Sequence, residues 1–314
     1  MTVKLFVDGS AGTTGIEIVE RLSGRSDVSL ILLPDDRRKD ASARAEALAA
    51  ADIAILCLPD DAAREAVALA DGLPTRFIDA STAYRVDPAW TYGFAEIEPG
   101  RREALRTAQF VSNPGCYPTG FLALVRPLVR EGLLPAETPL SLHACSGYSG
   151  GGKPMVAEFE ADGAAPTAFR PYALGLAHKH MPEMQRHAGL GLPPIFAPAV
   201  ANTYRGMIVE VPLHLAQLAA DTTVEQVREA LADAYAGSPL VSVASLDEST
   251  ALGAIDIEHV AGTDRLALFV FANAATGHIR LLAALDNLGK GASGAAVQNL
   301  NIMAGLPETE GLRL

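Results

Sequence analysis

The residues VKLFVDGSAGTTGIEIVERL, at positions 3–22, predict the first element of the fold. Positions 3–7 are an apolar run suited to a short buried strand, and Ile16 and Val19 recur at helical spacing after the glycines. A strand, a glycine turn and a helix in this order bring backbone N–H groups and the positive end of a helix dipole to one point, where a phosphate can bind. A tight turn without a ligand is the alternative, because the spacing is G-x-x-G-x-x-G and not the commoner G-x-G-x-x-G. The candidate cofactor contacts in this turn are Gly9, Ser10, Gly12, Thr13, Thr14 and Gly15.

The same alternation of strands and helices continues along the chain to residue 80. Strands are predicted at 28–33, 53–58 and 77–80, and helices at 41–50 and 62–70. This order is typical of βαβ units in a Rossmann-type parallel sheet, which binds ligands outside the carboxyl ends of its strands. Leu58, Pro59 and Ser81 follow such ends and are candidate cofactor contacts. Arg85 follows Ser81 and could hold an anionic substrate, although an ordinary surface arginine is an equal alternative.

A run of charges, Asp35-Asp36-Arg37-Arg38-Lys39, follows the second predicted strand. In a dinucleotide fold this position lies near the adenosine ribose. An acid there would accept a hydrogen bond from the 2′-OH of NAD, whereas Arg37 and Arg38 could pair with the 2′-phosphate of NADP. We favour NADP; a solvated charge run on a surface loop is the competing interpretation for any one of these side chains.

The most informative segment further on is Ser112-Asn113-Pro114-Gly115-Cys116-Tyr117-Pro118-Thr119-Gly120. Pro114-Gly115 favours a turn, and the apolar residues from Phe121 onward recur as on a buried helix face. Cys116 would then stand at a helix N-terminus, where the dipole stabilises a thiolate and lowers the thiol pKa, as suits a nucleophile. The alternative is a small buried apolar cysteine. Pro127 should kink or interrupt this helix.

Two motifs follow in the second half of the chain. A strand predicted at 140–145 leads into Ser146-Gly147-Tyr148-Ser149-Gly150-Gly151-Gly152-Lys153, which is too rich in glycine to pack as an element and could either close over a ligand or act as a linker. His180 and Glu183 stand three residues apart and could share one helix face if Pro182 lies in its first turn. A histidine that can reach Cys116 would serve it as a general base. A histidine with neither a catalytic nor a metal-binding role is the alternative. No third ligand stands at a spacing typical of a metal site, and we predict no metal.

The remaining pattern predicts an α+β domain with an antiparallel sheet. Strands are predicted at 196–200, 207–213 and 266–273, and an amphipathic helix at 224–235. A final apolar helix is predicted to begin near Leu281 and to be interrupted at 289–294 before it resumes at 295–303.

Composition limits the possible partners and the compartment. The chain has 314 residues and a net charge of −12, which argues against nucleic acid as a partner and leaves acidic small molecules possible where arginines cluster. The three cysteines do not form a disulfide framework or a paired metal motif. We find neither a signal peptide nor an apolar run long enough to span a membrane, and we expect a cytoplasmic protein.

Together these segments resemble the N-acetyl-γ-glutamyl-phosphate reductases of arginine biosynthesis, in particular their shorter subgroup, within the superfamily that contains aspartate-semialdehyde dehydrogenase. The resemblance covers nearly the whole chain and is most specific around Cys116 and at His180-Met181-Pro182-Glu183. The other matching segments are 9–15, 146–153, 204–206, 286–291 and 298–299.

The resemblance implies an α/β fold of two domains. Residues 1–115 with 286–314 would form an N-terminal Rossmann-type dinucleotide-binding domain, to which a C-terminal helix returns. Residues 116–285 would form an inserted α+β domain for catalysis, substrate binding and oligomerisation as a dimer or tetramer.

The resemblance also implies roles for single residues and an activity. Cys116 matches the nucleophile and His180 the acid/base, with Glu183 orienting the imidazole or contacting substrate. The implied reaction is reduction of an acyl phosphate by NADPH through a cysteine thioester. Alternative substrates with the same chemistry are β-aspartyl phosphate and an aminoadipyl derivative. A non-enzyme alternative is an NADP-sensing regulator without turnover. The other implied contacts are Arg205, Asn113 and Arg85 for substrate, and Gly147, Ser149, Gly150 and Asn287 for cofactor.

Overall fold

The structure, a computed structural model, describes residues 2–161 and 165–314. Its internal contacts divide the chain into two compact units. The first consists of the residues up to Ala95, Pro99–Gly115 and Ala292–Leu312, and the second of Glu96–Glu98, Cys116–Gly291 and Arg313–Leu314. The family resemblance implied a return to the first domain at residue 286, and the first unit resumes at Ala292.

The first unit contains a parallel six-stranded sheet of order β2-β1-β3-β4-β6-β5. Its strands are β1 (Val3–Asp8), β2 (Val28–Ile31), β3 (Ile53–Leu56), β4 (Arg76–Asp79), β5 (Thr91–Tyr92) and β6 (Phe110–Ser112). Its helices, numbered in chain order, are α1 (Thr13–Leu22), α2 (Ala41–Ala50), α3 (Asp60–Leu69), α4 (Arg101–Thr107) and α10 (Gly294–Ala304). The predicted Rossmann-type sheet is confirmed.

The last helix, α10, belongs to the core of this first unit. Val297 and Leu300 are fully buried in one apolar cluster with Leu5 and Ile55 of the sheet. Burial of these side chains holds the C-terminal segment on the N-terminal fold, because each apolar side chain removed from water contributes about 1.5–3 kcal/mol. The predicted return of the C-terminal helix is confirmed.

The second unit is built on a mixed seven-stranded sheet of order β11-β12-β13-β10-β7-β9-β8. Its strands are β7 (Ser141–Gly147), β8 (Phe169–Pro171), β9 (Ile195–Ala201), β10 (Met207–His214), β11 (Val241–Val243), β12 (Leu266–Asn273) and β13 (His278–Leu285). Its helices are α5 (Cys116–Arg130), α6 (Gly152–Phe159), α7 (Met181–Ala188), α8 (Val224–Ala234) and α9 (Leu246–Ala251). The β7–β9 and β11–β12 pairs are parallel and the other pairs antiparallel, so this part is an α+β arrangement that is mostly, not wholly, antiparallel.

The prediction of a helix beginning near Leu281 is wrong, because this segment is strand β13. The strand pairs with β10 on one side and β12 on the other, and Leu281 to Leu285 are buried. A central strand covered on both faces is a continuous apolar run, and periodicity alone cannot distinguish such a run from a buried helix.

The prediction that the glycine-rich segment 146–153 is too rich in glycine to pack is also wrong. Strand β7 extends to Gly147, a 3₁₀ turn follows, and α6 begins at Gly152. A Cβ atom on Gly147 would lie 2.7 Å from the carbonyl oxygen of Tyr204 and 2.8 Å from Arg205 Cα. The glycine therefore permits close packing of two backbone segments.

Helix α5 continues through Pro127 without the predicted interruption. A proline at 127 cannot donate to the carbonyl of Ala123, four residues earlier. The hydroxyl of the buried Tyr235 donates to that carbonyl instead, at 2.9 Å. Burial also raises the pKa of Tyr235, so the hydroxyl stays protonated and remains a donor. A tertiary contact thus replaces the missing helix hydrogen bond.

Among the described residues, 2–161 and 165–314, no helix is both long and apolar enough to cross a membrane.

Replacement of Tyr235 by Phe is expected to lower the free energy of unfolding by about 1–3 kcal/mol, because it leaves the Ala123 carbonyl buried and unpaired. Chemical denaturation measures the change. In a Pro127→Ala background the helix amide can reach Ala123, so Tyr235→Phe should cost clearly less there. An equal cost in both backgrounds would contradict this account of how the helix passes Pro127.

Candidate active site

The glycine turn after β1 has the backbone geometry of a phosphate site. Gly9 has φ +85°, and a Cβ atom there would lie 2.3 Å from the Cys57 carbonyl oxygen, so only glycine fits. A Cβ atom on Gly15 would lie 2.3 Å from the Gly9 carbonyl oxygen, which keeps helix α1 close to the turn. Gly12 precedes α1 and, having no side chain, leaves the first-turn N–H groups of α1 to a bound anion. Ser10, Thr13 and Thr14 are half-buried at the same turn.

A buried carboxylate next to this turn is neutralised by an arginine. Asp8 ends β1, and the guanidinium of Arg44 donates to it at 2.9 Å. Burial raises the pKa of Asp8, and the nearby Arg44 charge opposes that rise. Pairing with Arg44 reduces the repulsion that an anionic cofactor would otherwise meet at the end of β1.

The other predicted residues of the first unit follow neighbouring strands. Leu58 and Pro59 lie between β3 and α3, half-buried and exposed respectively. The Ser81 hydroxyl donates to the buried Asp79 at 2.6 Å. The Arg85 guanidinium is buried and donates to the Ala80 carbonyl at 2.9 Å. These residues lie at the carboxyl ends of strands β3 and β4, where the sequence predicted ligand contacts.

The side chain and the backbone of Asn113 are already hydrogen-bonded within the first unit. Its side-chain amide donates to the Ala292 carbonyl at 3.0 Å and accepts from Asn299 at 3.0 Å. Its backbone N–H donates to the Asp79 carbonyl at 2.7 Å. Asn113 therefore links strand ends of the first unit to its returning C-terminal segment, and its substrate role stays a prediction.

Arg37 and Arg38 are exposed on the loop that follows β2. Arg38 lies 3.3 Å from Asp35, and Arg37 lies 3.9 Å from Glu46. Exposed ion pairs of this kind contribute little, so either guanidinium can exchange its carboxylate for a phosphate at small cost.

In the second unit, Cys116 is the first residue of the 15-residue helix α5 and is only partly buried. The N-terminal end of a helix stabilises a thiolate, and partial exposure lets a substrate reach the sulfur. The predicted helix start at the cysteine is confirmed. The body of the helix is fully buried from Phe121 to Val125, which holds Cys116 on a rigid element.

The other two cysteines lie in settings that suppress reactivity. Burial raises the pKa of the Cys57 thiol to about 12 and that of Cys145 to about 11. Both thiols stay protonated at neutral pH, and a protonated thiol is a poor nucleophile. Cys57 packs against the apolar cluster of the first unit, as a core residue does.

An aromatic cluster connects the cysteine segment to the predicted acid/base. The ring of Tyr117, the residue after Cys116, lies 6.0 Å from the ring of His180 and 5.9 Å from that of His178. The Tyr117 hydroxyl donates to the Ala199 carbonyl and accepts from Tyr172, both at 3.1 Å. The cluster brings the segments carrying Cys116 and His180 to the same part of the second unit.

His180 precedes helix α7 and is held by its neighbour His178. The backbone N–H of His180 donates to His178 Nδ1 at 3.1 Å. Burial lowers the pKa of His178 to about 4, with the Lys179 charge adding to the effect. His178 is therefore neutral at pH 7, and accepting at Nδ1 leaves its proton on Nε2. Glu183 lies in the first turn of α7 and is buried, which suits the role of a partner near His180.

A second group of predicted residues is bound together around Asn287. Its side-chain amide donates to the Ser149 hydroxyl at 2.8 Å, and its oxygen accepts from the Gly206 N–H at 2.9 Å. A Cβ atom on Gly150 would lie 3.5 Å from the Asn287 amide nitrogen. The structure thus brings together Gly147, Ser149, Gly150, Arg205 and Asn287, which lie far apart in sequence.

Asp286, to which the sequence analysis gave no role, organises this group. Its carboxylate accepts from the N–H groups of Leu288 and Gly289 at 2.8 and 2.9 Å. It also lies 3.5 Å from Arg205, the predicted substrate ligand. A buried carboxylate surrounded by backbone donors holds its turn strongly. The segment 286–291 was part of the family resemblance, but nothing in its spacing indicated the turn.

In the described residues, no three His, Cys, Asp or Glu side chains are grouped so that they could hold a metal ion.

Comparison with known families matches both units. Residues 4–108 match the family described as semialdehyde dehydrogenase, NAD binding domain. Residues 116–287 match semialdehyde dehydrogenase, dimerisation domain.

Solved structures share the fold at low identity. Aspartate semialdehyde dehydrogenase II of Vibrio cholerae has a TM-score of 0.74 at 15% identity, over 97% of this chain and 99% of that chain. The aspartate semialdehyde dehydrogenase of Francisella tularensis has a TM-score of 0.72 at 14% identity, over 96% and 100%.

Similar sequences extend over almost the entire chain. A Brucella anthropi protein is 52% identical over 97% of this chain and 99% of its own length. A Trichormus variabilis protein is 50% identical over 98% and 99%. Both are named N-acetyl-gamma-glutamyl-phosphate reductase. The chain belongs to the N-acetyl-gamma-glutamyl-phosphate reductase family and has the semialdehyde dehydrogenase fold.

Proposed function

We propose that this protein reduces N-acetyl-γ-glutamyl phosphate to N-acetylglutamate 5-semialdehyde with NADPH and releases phosphate, a step of arginine biosynthesis. The observation that carries the proposal is the partly exposed Cys116 at the first residue of helix α5. Relatives of this name that align along nearly the whole chain support the choice of substrate.

The chemistry begins with the sulfur. The Cys116 thiolate attacks the acyl-phosphate carbonyl, and the acyl C–O bond to phosphate breaks. Inorganic phosphate departs, and the acyl group remains bound to Cys116 as a thioester. NADPH supplies the hydride that reduces this thioester. Collapse of the resulting thiohemiacetal releases the aldehyde and returns the thiolate. Cysteine suits the sequence because a thioester accepts hydride more readily than a carboxylate.

Other residues transfer protons and bind the substrate. His180 is the general acid and base that moves the proton as the thiohemiacetal forms and collapses, and Glu183 orients its imidazole or contacts the substrate. Arg205 and Arg85 pair with the substrate phosphate or carboxylate, and Asn113 contacts the substrate. Neutral His178 holds the His180 backbone without adding a second positive charge.

The glycine turn after β1 suits the pyrophosphate of the cofactor, and Arg37 and Arg38 pair with the 2′-phosphate that distinguishes NADP. Leu58, Pro59 and Ser81 extend this site along the strand ends. Gly147, Ser149, Gly150 and Asn287 are the remaining residues that we propose as cofactor contacts.

The protein acts as a homo-oligomer, a dimer or a tetramer. The support is the match of residues 116–287 to a family described as a dimerisation domain.

The substrate is tested in the reverse direction by following NADPH formation from NADP, phosphate and a semialdehyde. N-acetylglutamate semialdehyde should be used about 100-fold or more better than aspartate semialdehyde in kcat/KM, since a site built for the polar N-acetyl group rejects an analogue that lacks it. Preference for aspartate semialdehyde would refute the assignment. Tight NADP binding without turnover of either substrate would favour a cofactor-sensing regulator.

Replacement of Cys116 by Ser should lower kcat by at least about 1,000-fold, because a hydroxyl at neutral pH is a far weaker nucleophile than a thiolate. Binding of NADPH, followed by fluorescence, should be unchanged. Cys145→Ser is the matched control and should keep its activity, because the Cys145 thiol is protonated and plays no part. An active Cys116→Ser enzyme would rule out the thioester.

The paired replacement Arg37→Ala/Arg38→Ala should raise the KM for NADP by about 10-fold or more, the effect of losing charge-assisted hydrogen bonds, while kcat/KM with NAD stays the same. Arg106→Ala removes another exposed arginine of the first unit and serves as the control. Equal losses with NAD and NADP would show that these arginines do not read the 2′-phosphate.

A further inference from the structure

The second unit contains a buried ion pair to which the reaction above gives no role. Lys290 and Glu96 have side chains only 2% and 1% exposed. The Lys290 ammonium donates to both carboxylate oxygens of Glu96, at 2.9 and 2.8 Å. Burying two charges is costly, and the cost is offset only while both stay paired in good geometry. Such a pair therefore holds its two backbone segments in one arrangement.

Gly291, the residue after Lys290, packs directly against Cys116. A Cβ atom on Gly291 would lie 2.9 Å from Cys116 Cβ and 3.3 Å from Cys116 Cα. The backbone at Gly291 is therefore in direct contact with the nucleophile, with no room for even a methyl group between them.

The same segment is fixed at its other end. Gly291 N–H donates to the Asp286 carbonyl at 3.0 Å, and the Asp286 side chain holds the N–H groups of Leu288 and Gly289. Lys290 lies between these anchors, at the start of a single π-helical turn, Gly289–Ser293. Turns of this kind are often found at functional sites. The ion pair is thus a side-chain anchor of the turn, one residue before Gly291.

We propose that Lys290 is a positioning residue, which through its buried pair with Glu96 fixes Gly291 against Cys116 and so keeps the sulfur in the geometry needed for attack. The inference rests on the proposed role of Cys116 as the nucleophile. Neither Lys290 nor Glu96 takes part in the bond-making steps. Their effect is expected in kcat and in the reactivity of the thiol, and not in the KM for NADP.

The test compares folded variants in which no charge is left buried alone. Lys290→Met/Glu96→Leu replaces the pair with apolar side chains, and Lys290→Gln/Glu96→Gln keeps a hydrogen-bonded but neutral pair. The rate of alkylation of Cys116 by iodoacetamide at pH 7 is measured on the peptide that carries Cys116, together with kcat and KM.

The apolar pair should lower kcat by about 100-fold, the effect of misplacing a reacting group by about 1 Å, with the KM for NADP unchanged. It should also slow alkylation, because a sulfur displaced from the helix N-terminus loses part of the stabilisation of its thiolate. The amide pair should recover most of both. Glu98→Gln is the matched control, because Glu98 lies in the same 96–98 segment but pairs with Arg126 at 2.9 Å, and it should leave both rates unchanged.

A folded apolar-pair variant with wild-type alkylation and kcat would overturn the proposal. Should that variant fail to fold, Glu96→Asp decides the question: it keeps both charges, shortens the reach by one methylene, and should slow alkylation by about 10-fold through a smaller thiolate fraction at Cys116. Unchanged alkylation in folded Glu96→Asp overturns the proposal equally. Alkylation needs no substrate, so a wild-type protein that turns over neither semialdehyde would refute the proposed function while the dependence on Lys290 is still measured.

Discussion

The close contact of helix α5 with the sheet beneath it is the constraint on which the second unit depends. A Cβ atom on Gly120 would lie 2.8 Å from Val209 Cγ2 and 3.4 Å from Leu285, so strands β10 and β13 touch the helix backbone one turn after Cys116. Gly291 makes a similar contact at Cys116 itself. Because both contacts need glycine, the depth of the helix and the place of its first residue are set by backbone packing, which flexes little.

Buried polar groups also hold the loops of the second unit in place. Asp286 holds the turn after β13, Asn287 joins that turn to Ser149 and Gly206, and Lys290 pairs with Glu96. Each of these groups would be costly to bury alone, so each requires its partner in place. The result is a set of loops joined by directional bonds to the turn that contacts Cys116, whereas loops of similar length are usually loosely held.

The sequence predicted those elements whose signals lie close together in the chain. The parallel sheet, the glycine turn and a helix starting at Cys116 follow from apolar periodicity and turn residues close together in the chain. Strand β13 was missed because both of its faces are buried from Leu281 to Leu285, which makes that run uniformly apolar, and the course of α5 through Pro127 was missed because the compensating donor, Tyr235, is distant in sequence. The roles of Asp286 and Lys290 could not be predicted for the same reason: they depend on partners that only the fold brings near.

The three cysteines show how the fold assigns chemistry to one residue type. Cys57 and Cys145 lie on or beside strands, and burial raises the pKa of their thiols to about 12 and about 11. Cys116 differs from them in its place in the fold, because it is the first residue of a helix and is partly exposed. A helix N-terminus offers N–H groups to an anion at no cost in net charge, which matters in a chain of net charge −12. The acidic protein can thus favour a thiolate locally, because the partial charges of the helix N-terminus act over short distances.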